Sequence, residues 1–495
     1  LDGAQISALN EGSYVAMVAP RIEQGGTVDV NGAAVYAAGE EISLTASQGL
    51  FDVEVFVGTT DPNGIVHTGT TTGDASTNSS TDPHRMYFVA VPKNQMMTML
   101  LGGNIGFREA TVAGVENGQI ILGSGWYIRE IDETLPTIFW TETALLNAEA
   151  NAGIDIGPGN FTSDVLGLAM GDVAIVADTG SISFAGDVWL PTDGGSSGNL
   201  LLSASGGNSL TIGGYFEFFS TRVTGTADQE INAFGGGTVD ILGDLYLSGD
   251  AGSGPVSIDF WADNGSISVD GESFVDASDD VQGGNIYIGA INNGSITFGQ
   301  YANFSANGWG GGETGDGFGG IIDVYAGTGG TLTFDGGAEF GASGVGTADQ
   351  GGGAGDGFGG SVSIYADGGG AIDVTGDLVA AANGWGGDIL DGGTAGGDGY
   401  GGDISVGVYD GTISVTGTVH LDAFGFGGSY IGEGTPSVAQ GGLGQGGWIT
   451  IWSAGPGSIS FGGTTYLHAD GYGGNGQTGG DVVARGFEAG EVGLL

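Results

Sequence analysis

The sequence predicts an all-β protein: a right-handed parallel β-helix (β-solenoid) with about three strands per coil and Gly-rich loops leaving one edge. Three observations carry this. A unit of 23 or 24 residues recurs at 283–306, 319–342, 359–382, 401–423 and 446–469. The segments after those units, 307–318, 343–358, 383–400, 424–445 and 470–478, differ widely in length. Constant modules with inserts gathered on one edge are how a solenoid looks in sequence. Within each unit the apolar residues alternate, which is the period of a strand and not of a helix.

Each element follows from that alternation. The first strand opens on Gly-Gly and places Ile286, Ile322, Val362, Ile404 and Ile449 at one position, with Ile288, Val324, Ile364, Val406 and Ile451 two residues on. A Gly-centred turn leads to a second strand holding Ile296, Leu332, Ile372, Ile413 and Ile459. The third strand ends on Phe304, Phe340, Ala380, Leu421 and Leu467. Residues between these inward positions are mostly polar or Tyr and suit a solvent-facing side. One such coil buries too little to stand alone. Stacked coils about 4.8 Å apart pair their backbones and fuse the apolar ladders into one core. Corner turns draw on glycine, which reaches positive φ without steric cost, and this accounts for much of the 110 Gly in 495 residues.

Four stretches are expected. Residues 1–50 begin the β-helix, with strands at 14–20, 25–30 and 33–45. Residues 51–104 hold an extra-helical insert, a loop or small hairpin at 59–83, and return strands at 86–92 and 96–101. Residues 105–282 form irregular coils, with strands at 119–122, 172–177, 181–184 and 238–242 and a short helix within 135–152. Residues 283–495 form the regular coils, and Val482 starts another. Leu1 opens in mid-pattern, which reads as a mature or internal piece of a longer precursor.

Composition narrows the function. There are 58 acidic and 7 basic residues, a net charge of −51, so nucleic acid and anionic lipid surfaces are poor partners. Five of the seven basic residues, Arg21, Arg85, Lys93, Arg108 and Arg129, precede residue 130 and mark a different surface there. With no Cys there is neither a disulfide framework nor thiol chemistry. No run of 18 apolar residues is present, so insertion of a helix into a membrane is not expected. His67, His84, His420 and His468 lack metal-ligand spacing, and His420 and His468 read as equivalent outward positions in two units. No Ser-His-Asp order or G-x-S-x-G elbow stands out. Paired carboxylates for glycoside hydrolysis are the remaining enzymatic alternative, so a non-enzymatic role is expected.

The segments between units share two signatures. Ala-x-Gly-aromatic-Gly-Gly occurs with Trp309, Trp385, Phe426 and Tyr472, and Val345 takes the aromatic slot once. Gly-Asp-Gly-Phe/Tyr-Gly-Gly closes three segments with Phe318, Phe358 and Tyr400. These seven aromatics are the candidate contact residues, able to stack on sugar rings or dock a neighbouring fibre. The alternative is that they fold back and pack on one another, closing the loops over the coil edge. Asp316, Asp356 and Asp398 recur at one place, near Glu313, Asp349, Asp388 and Asp391. Carboxylates and turn carbonyls could hold calcium there. The tandem calcium-roll pattern is missing, so turn-forming Asp on a solvated ridge, with no cofactor, is the expectation.

The N-terminal string Glu11-Gly12-Ser13-Tyr14-Val15-Ala16-Met17-Val18-Ala19-Pro20, then Gly-Gly-Thr-Val and Val35-Tyr36-Ala37-Ala38-Gly39-Glu40, resembles the end of the secretion domain in filamentous-haemagglutinin-like exoproteins. Those belong to two-partner secretion systems of Gram-negative bacteria. The resemblance implies export through an outer-membrane partner to the cell surface, for adhesion or surface structure. The expected protein is a secreted β-helical fibre protein. It would meet a glycan or cell-surface receptor, or join copies of itself end to end through an uncapped coil. A polysaccharide-binding or polysaccharide-cleaving β-helix is the alternative.

Overall fold

The computed structural model describes residues 3–47, 50–61, 64–74, 84–90, 99–101, 103–108, 119–123, 127–128, 146–149, 154–156, 160–162, 173–177, 181–184, 186–190, 200–221, 228–250, 256–311, 315–348, 353–390, 393–431, 440–475 and 482–483. Among them the chain is all-β, with strands stacked in parallel sheets as in a β-solenoid. Among the described residues no helix is long and apolar enough to cross a membrane. Two compact units divide it: one from residues 1–223, 230–247 and 265–271, the other from 224–229, 248–264 and 272–495.

In the second unit each coil has three strands, as the alternation requires. First strands Asn285–Ile291, Ile321–Ala326, Ser361–Ala366, Asp403–Val408 and Trp448–Ser453 pair in parallel, in register. That register aligns Ile286, Ile322, Val362, Ile404 and Ile449 in one buried column. Second and third strands stack the same way, from Ser295–Phe298 to Ser458–Phe461 and from Ala302–Ser305 to Thr465–His468. The earlier coils fill their core with aromatics. Phe298 stacks on Phe334 at 5.2 Å, Phe304 on Phe340 at 5.4 Å, and the two columns meet edge to face. Such contacts add about 0.5–1.5 kcal/mol beyond area burial.

The corner between first and second strands is a pair of left-handed residues. Asn292 and Asn293 (φ 52° and 63°), Thr328 and Gly329 (51° and 73°), and Gly368 and Gly369 (54° and 78°) occupy it in three successive coils. Asn and Gly accept this conformation readily and Thr does not.

In the first unit Gln5–Ala19 runs parallel to Thr27–Ala38, with a register shift between Ala8 and Ser13. Thr27–Ala38 in turn carries Thr70–Asp74 along its first part and Arg85–Ala90 along its second. Tyr36 and Phe88 stack at 4.8 Å in the core, and the Tyr36 hydroxyl and His67 Nε2 both contact Thr71 Oγ1. His67 therefore belongs to a buried polar cluster.

Several expectations are corrected. The antiparallel hairpin is Glu41–Ser47 with Leu50–Val57, joined by Tyr127–Ile128. It lies upstream of 59–83, where Ile65–His67 and Thr70–Asp74 are coil strands in parallel pairing. Alternation cannot separate a coil strand from a projecting one, because both have one buried face. Leu146–Glu149, expected within a helix, is a strand paired with Val173–Ala177; the rest of 135–152 lies outside the described residues. Val482–Val483 pairs with Gly444–Gln445, between units, and not with the first strand of the preceding coil. His420 and His468 are not equivalent: His420 pairs with Tyr466, and Asp422 with His468.

Candidate functional site

The inserts after each third strand are not irregular loops. Each leaves the coil on an outgoing two-residue strand and returns on a second one. The outgoing strands are Gly308–Trp309, Gly344–Val345, Gly384–Trp385, Gly425–Phe426 and Gly471–Tyr472, which form one parallel sheet. The returning strands Gly317–Phe318, Gly357–Phe358, Gly399–Tyr400, Gly444–Gln445 and Val482–Val483 form another.

Glycine is required because the two sheets pack backbone to backbone. A Cβ on Gly384 would lie 2.0 Å from the Tyr400 carbonyl oxygen, and one on Gly399 would lie 2.1 Å from that of Phe426. The same clash recurs in neighbouring coils. Sheets separated by side chains sit about 10 Å apart; here the layers are in direct contact and form a thin fin. Further out, N–H groups of one leg donate to carbonyls of the other. The Gly387 N–H donates to Gly355 O (2.8 Å), Gly397 to Gly387 O (3.0 Å), Gly428 to Gly397 O (2.9 Å) and Gly442 to Gly428 O (3.0 Å). These bonds satisfy polar groups that the packing removes from water.

With glycine facing inward, the next residue faces outward, and this sets all seven candidate aromatics. On the returning face Phe318, Phe358 and Tyr400 form a continuous stack at 4.8 and 4.9 Å, with planes within 5°. On the outgoing face Trp385, Phe426 and Tyr472 stack at 4.2 and 4.9 Å. Trp309 stands two ladder steps from Trp385, with Val345 between them. The rings pack on one another without folding over the coil edge, and Trp309, Phe318, Trp385 and Tyr472 remain 38–52% exposed.

Polar side chains fasten each coil of the fin to the next. Asp316 Oδ1 accepts the Asp356 N–H (2.8 Å), Asp356 Oδ1 that of Asp398 (2.7 Å), and Asp398 Oδ1 that of Leu443 (2.7 Å). Asn307 and Asn383 do the same on the outgoing leg for Ser343 and Phe424, and Asp388 for Ser429. Burial, then the charges of Asp398 and Asp316, raise the Asp356 carboxyl above its ordinary range, against the N–H it accepts. Burial, then its hydrogen bond to Asp398, pushes the Tyr400 phenol up to about 12. Glu313, Asp349 and Asp391 lie outside the described residues. Among the described residues no three His, Cys, Asp or Glu side chains cluster to hold a metal.

Sequence reasoning passed over a second column, on the first strands. Tyr325 stacks on Tyr365 (5.9 Å), and Trp452 reaches Tyr365 at 5.7 Å. Trp261 and Trp452 lie across Gly289 and Gly407 of neighbouring coils. The signal was the pairing of Trp in one unit with Gly in the next at equal register. Of the basic residues near the N-terminus, Arg21 pairs with Glu23 and with Asp61 (3.0 Å), and Arg85 is buried.

An acidic β-solenoid bearing a glycine-cored fin with aromatic ladders on both faces is what remains to be read for function. No family model, curated protein or solved structure matches the chain.

Proposed function

We propose that the protein is a secreted, non-enzymatic β-helical surface protein that works by adhesion, with the fin as its contact face. The supporting observation is the pair of exposed aromatic ladders. Stacked rings form a rigid, partly apolar surface whose ordering cost has already been met, so little entropy is lost on contact. The aromatic faces suit the apolar faces of sugar rings, which points to surface glycans as the receptor class. Net charge −51 keeps a repetitive β-protein soluble and disfavours edge-to-edge pairing. The N-terminal resemblance to two-partner secretion exoproteins supports export to the surface of a Gram-negative cell.

The experiment is binding of the full chain to a glycan array and to intact cells, alongside electron microscopy of the purified chain. Adhesion predicts that single molecules bind and that Trp309→Ala with Trp385→Ala loses most of the binding while thermal unfolding is retained. Ordered filaments whose formation survives those substitutions would replace adhesion with a structural polymer. Release of reducing ends from a bound glycan would replace it with catalysis.

A further inference from the structure

Resting on that adhesive reading, we infer that the outgoing face carries a discrete subsite for one neutral hexopyranose ring, held between Trp309 and Trp385 over Val345. The outgoing ladder is aromatic at four of its five positions, and the exception is internal. Trp385 has Phe426 against one face, nearly parallel at 15°. Its opposite face therefore looks along the ladder over Val345, toward Trp309. Both indoles are among the more exposed large side chains, at 52% for Trp309 and 41% for Trp385. The notch opens onto a surface groove of about 630 Å³ that runs on past Trp385, lined by Trp309, Val345, Trp385, Asp388, Phe426 and Ile431 among others.

The spacing selects the shape of the occupant. Two ladder steps of about 4.8 Å separate Trp309 from Trp385 by about 9.6 Å along the stack. A planar aromatic at optimal carbon contact with both walls fills only about 7–8 Å. A puckered pyranose, with axial hydrogens standing off both faces, is thicker and fills the gap better. Val345 provides an aliphatic floor, so the ring enters edge first with its hydroxyls toward the open side. Asp388 lines the same groove; its Oδ1 accepts the Ser429 N–H, and its carboxylate offers further lone pairs as acceptors for those hydroxyls. The Asp388 carboxylate and the chain's net charge of −51 oppose uronates, sialylated glycans and phosphosugars. The returning ladder, continuous from Phe318 to Tyr400, has no such gap.

The decisive variant is Val345→Phe, which completes the ladder and closes the notch while adding an aromatic. Titration calorimetry of the full chain would use neutral hexasaccharides of glucose, mannose and galactose, with oligogalacturonate and tetramethylammonium as comparison probes. At least one neutral hexasaccharide is expected to bind. Val345→Phe, Trp309→Ala and Trp385→Ala are each expected to weaken it about tenfold or more, the scale of losing a central aromatic contact. Tyr409→Ala, at an exposed residue outside the fin, is expected to bind within about twofold of the parent, and circular-dichroism melting checks that each variant folds. Binding unchanged or strengthened by Val345→Phe overturns the subsite and leaves adhesion by the ladders standing. Preference for tetramethylammonium or oligogalacturonate, or no binding by any neutral probe, also overturns it. Cell adhesion measured on the same variants shows separately whether the adhesive reading survives.

Discussion

Thr328 is the one β-branched residue in a column of left-handed corners otherwise made of Asn and Gly, with Asn292 before it and Gly368 after it. Its φ of 51° brings Cβ toward the carbonyl, a cost of about 1–2 kcal/mol for most L-residues. Thr328→Asn is expected to raise unfolding free energy by about 1 kcal/mol, read as a higher denaturant midpoint at constant slope. An unchanged or lowered midpoint would show that the Thr side chain makes up the cost elsewhere. Gly384 is the opposite case, because its φ is ordinary and only space excludes a methyl group. The obstruction is backbone, the Tyr400 and Gly357 carbonyls, which cannot swing aside as a side chain can. Gly384→Ala is expected to destabilise by about 1–3 kcal/mol and to weaken the near-ultraviolet circular dichroism of the stacked rings.

At the scale of the element, the fin is held by glycine contact, cross-leg hydrogen bonds and side-chain clips from coil to coil. The outgoing leg uses neutral Asn307 and Asn383 as clips together with Asp388, whereas the returning leg uses Asp316, Asp356 and Asp398. Asp356 titrates above its ordinary range because burial and neighbouring carboxylates oppose its charge. Its contribution to stability is therefore full below the unfolded value and is lost as pH rises through the raised folded value. Asp356→Asn keeps the acceptor for the Asp398 N–H and removes the charge. A higher melting temperature than the parent is expected at pH 7, with the advantage shrinking as pH falls into the ordinary carboxylate range. Melting scans from pH 3 to 7 test this, and a variant less stable at pH 7 would show that the clip needs its charge.

For the whole molecule, 58 acidic against 7 basic residues make self-repulsion a general term that opposes the folded state. The Debye length falls from about 30 Å at 0.01 M salt to about 8 Å at 0.15 M, so added salt removes most of that repulsion. The full chain is expected to melt at a higher temperature in 0.15 M than in 0.01 M sodium chloride. Matched ionic strength from magnesium or calcium chloride tests whether divalent ions act only by screening. A larger rise with calcium than with magnesium would revive a calcium role for the Asp ridge. A melting temperature independent of salt would show that the acidic groups lie too far apart to repel.

The sequence by itself determined the coil. A two-residue apolar period, repeated at nearly constant length, aligns Ile286, Ile322, Val362, Ile404 and Ile449 whatever else the chain does, because only one face of each strand can be buried. It also singled out the seven fin aromatics, since four follow the Ala that ends a unit at a constant offset and the other three directly precede the Gly that opens the next unit. Only the tertiary structure decided what those glycines do. A two-residue strand with no inward side chain leaves no hydrophobic signal, and contact between two backbones is a property of partners separated by variable lengths of chain. The positions of the N-terminal hairpin, of the Trp-over-Gly contacts and of His420 against Tyr466 were hidden for a related reason. Each depends on register between neighbouring coils, which hydrogen bonding and packing set jointly and no single coil encodes.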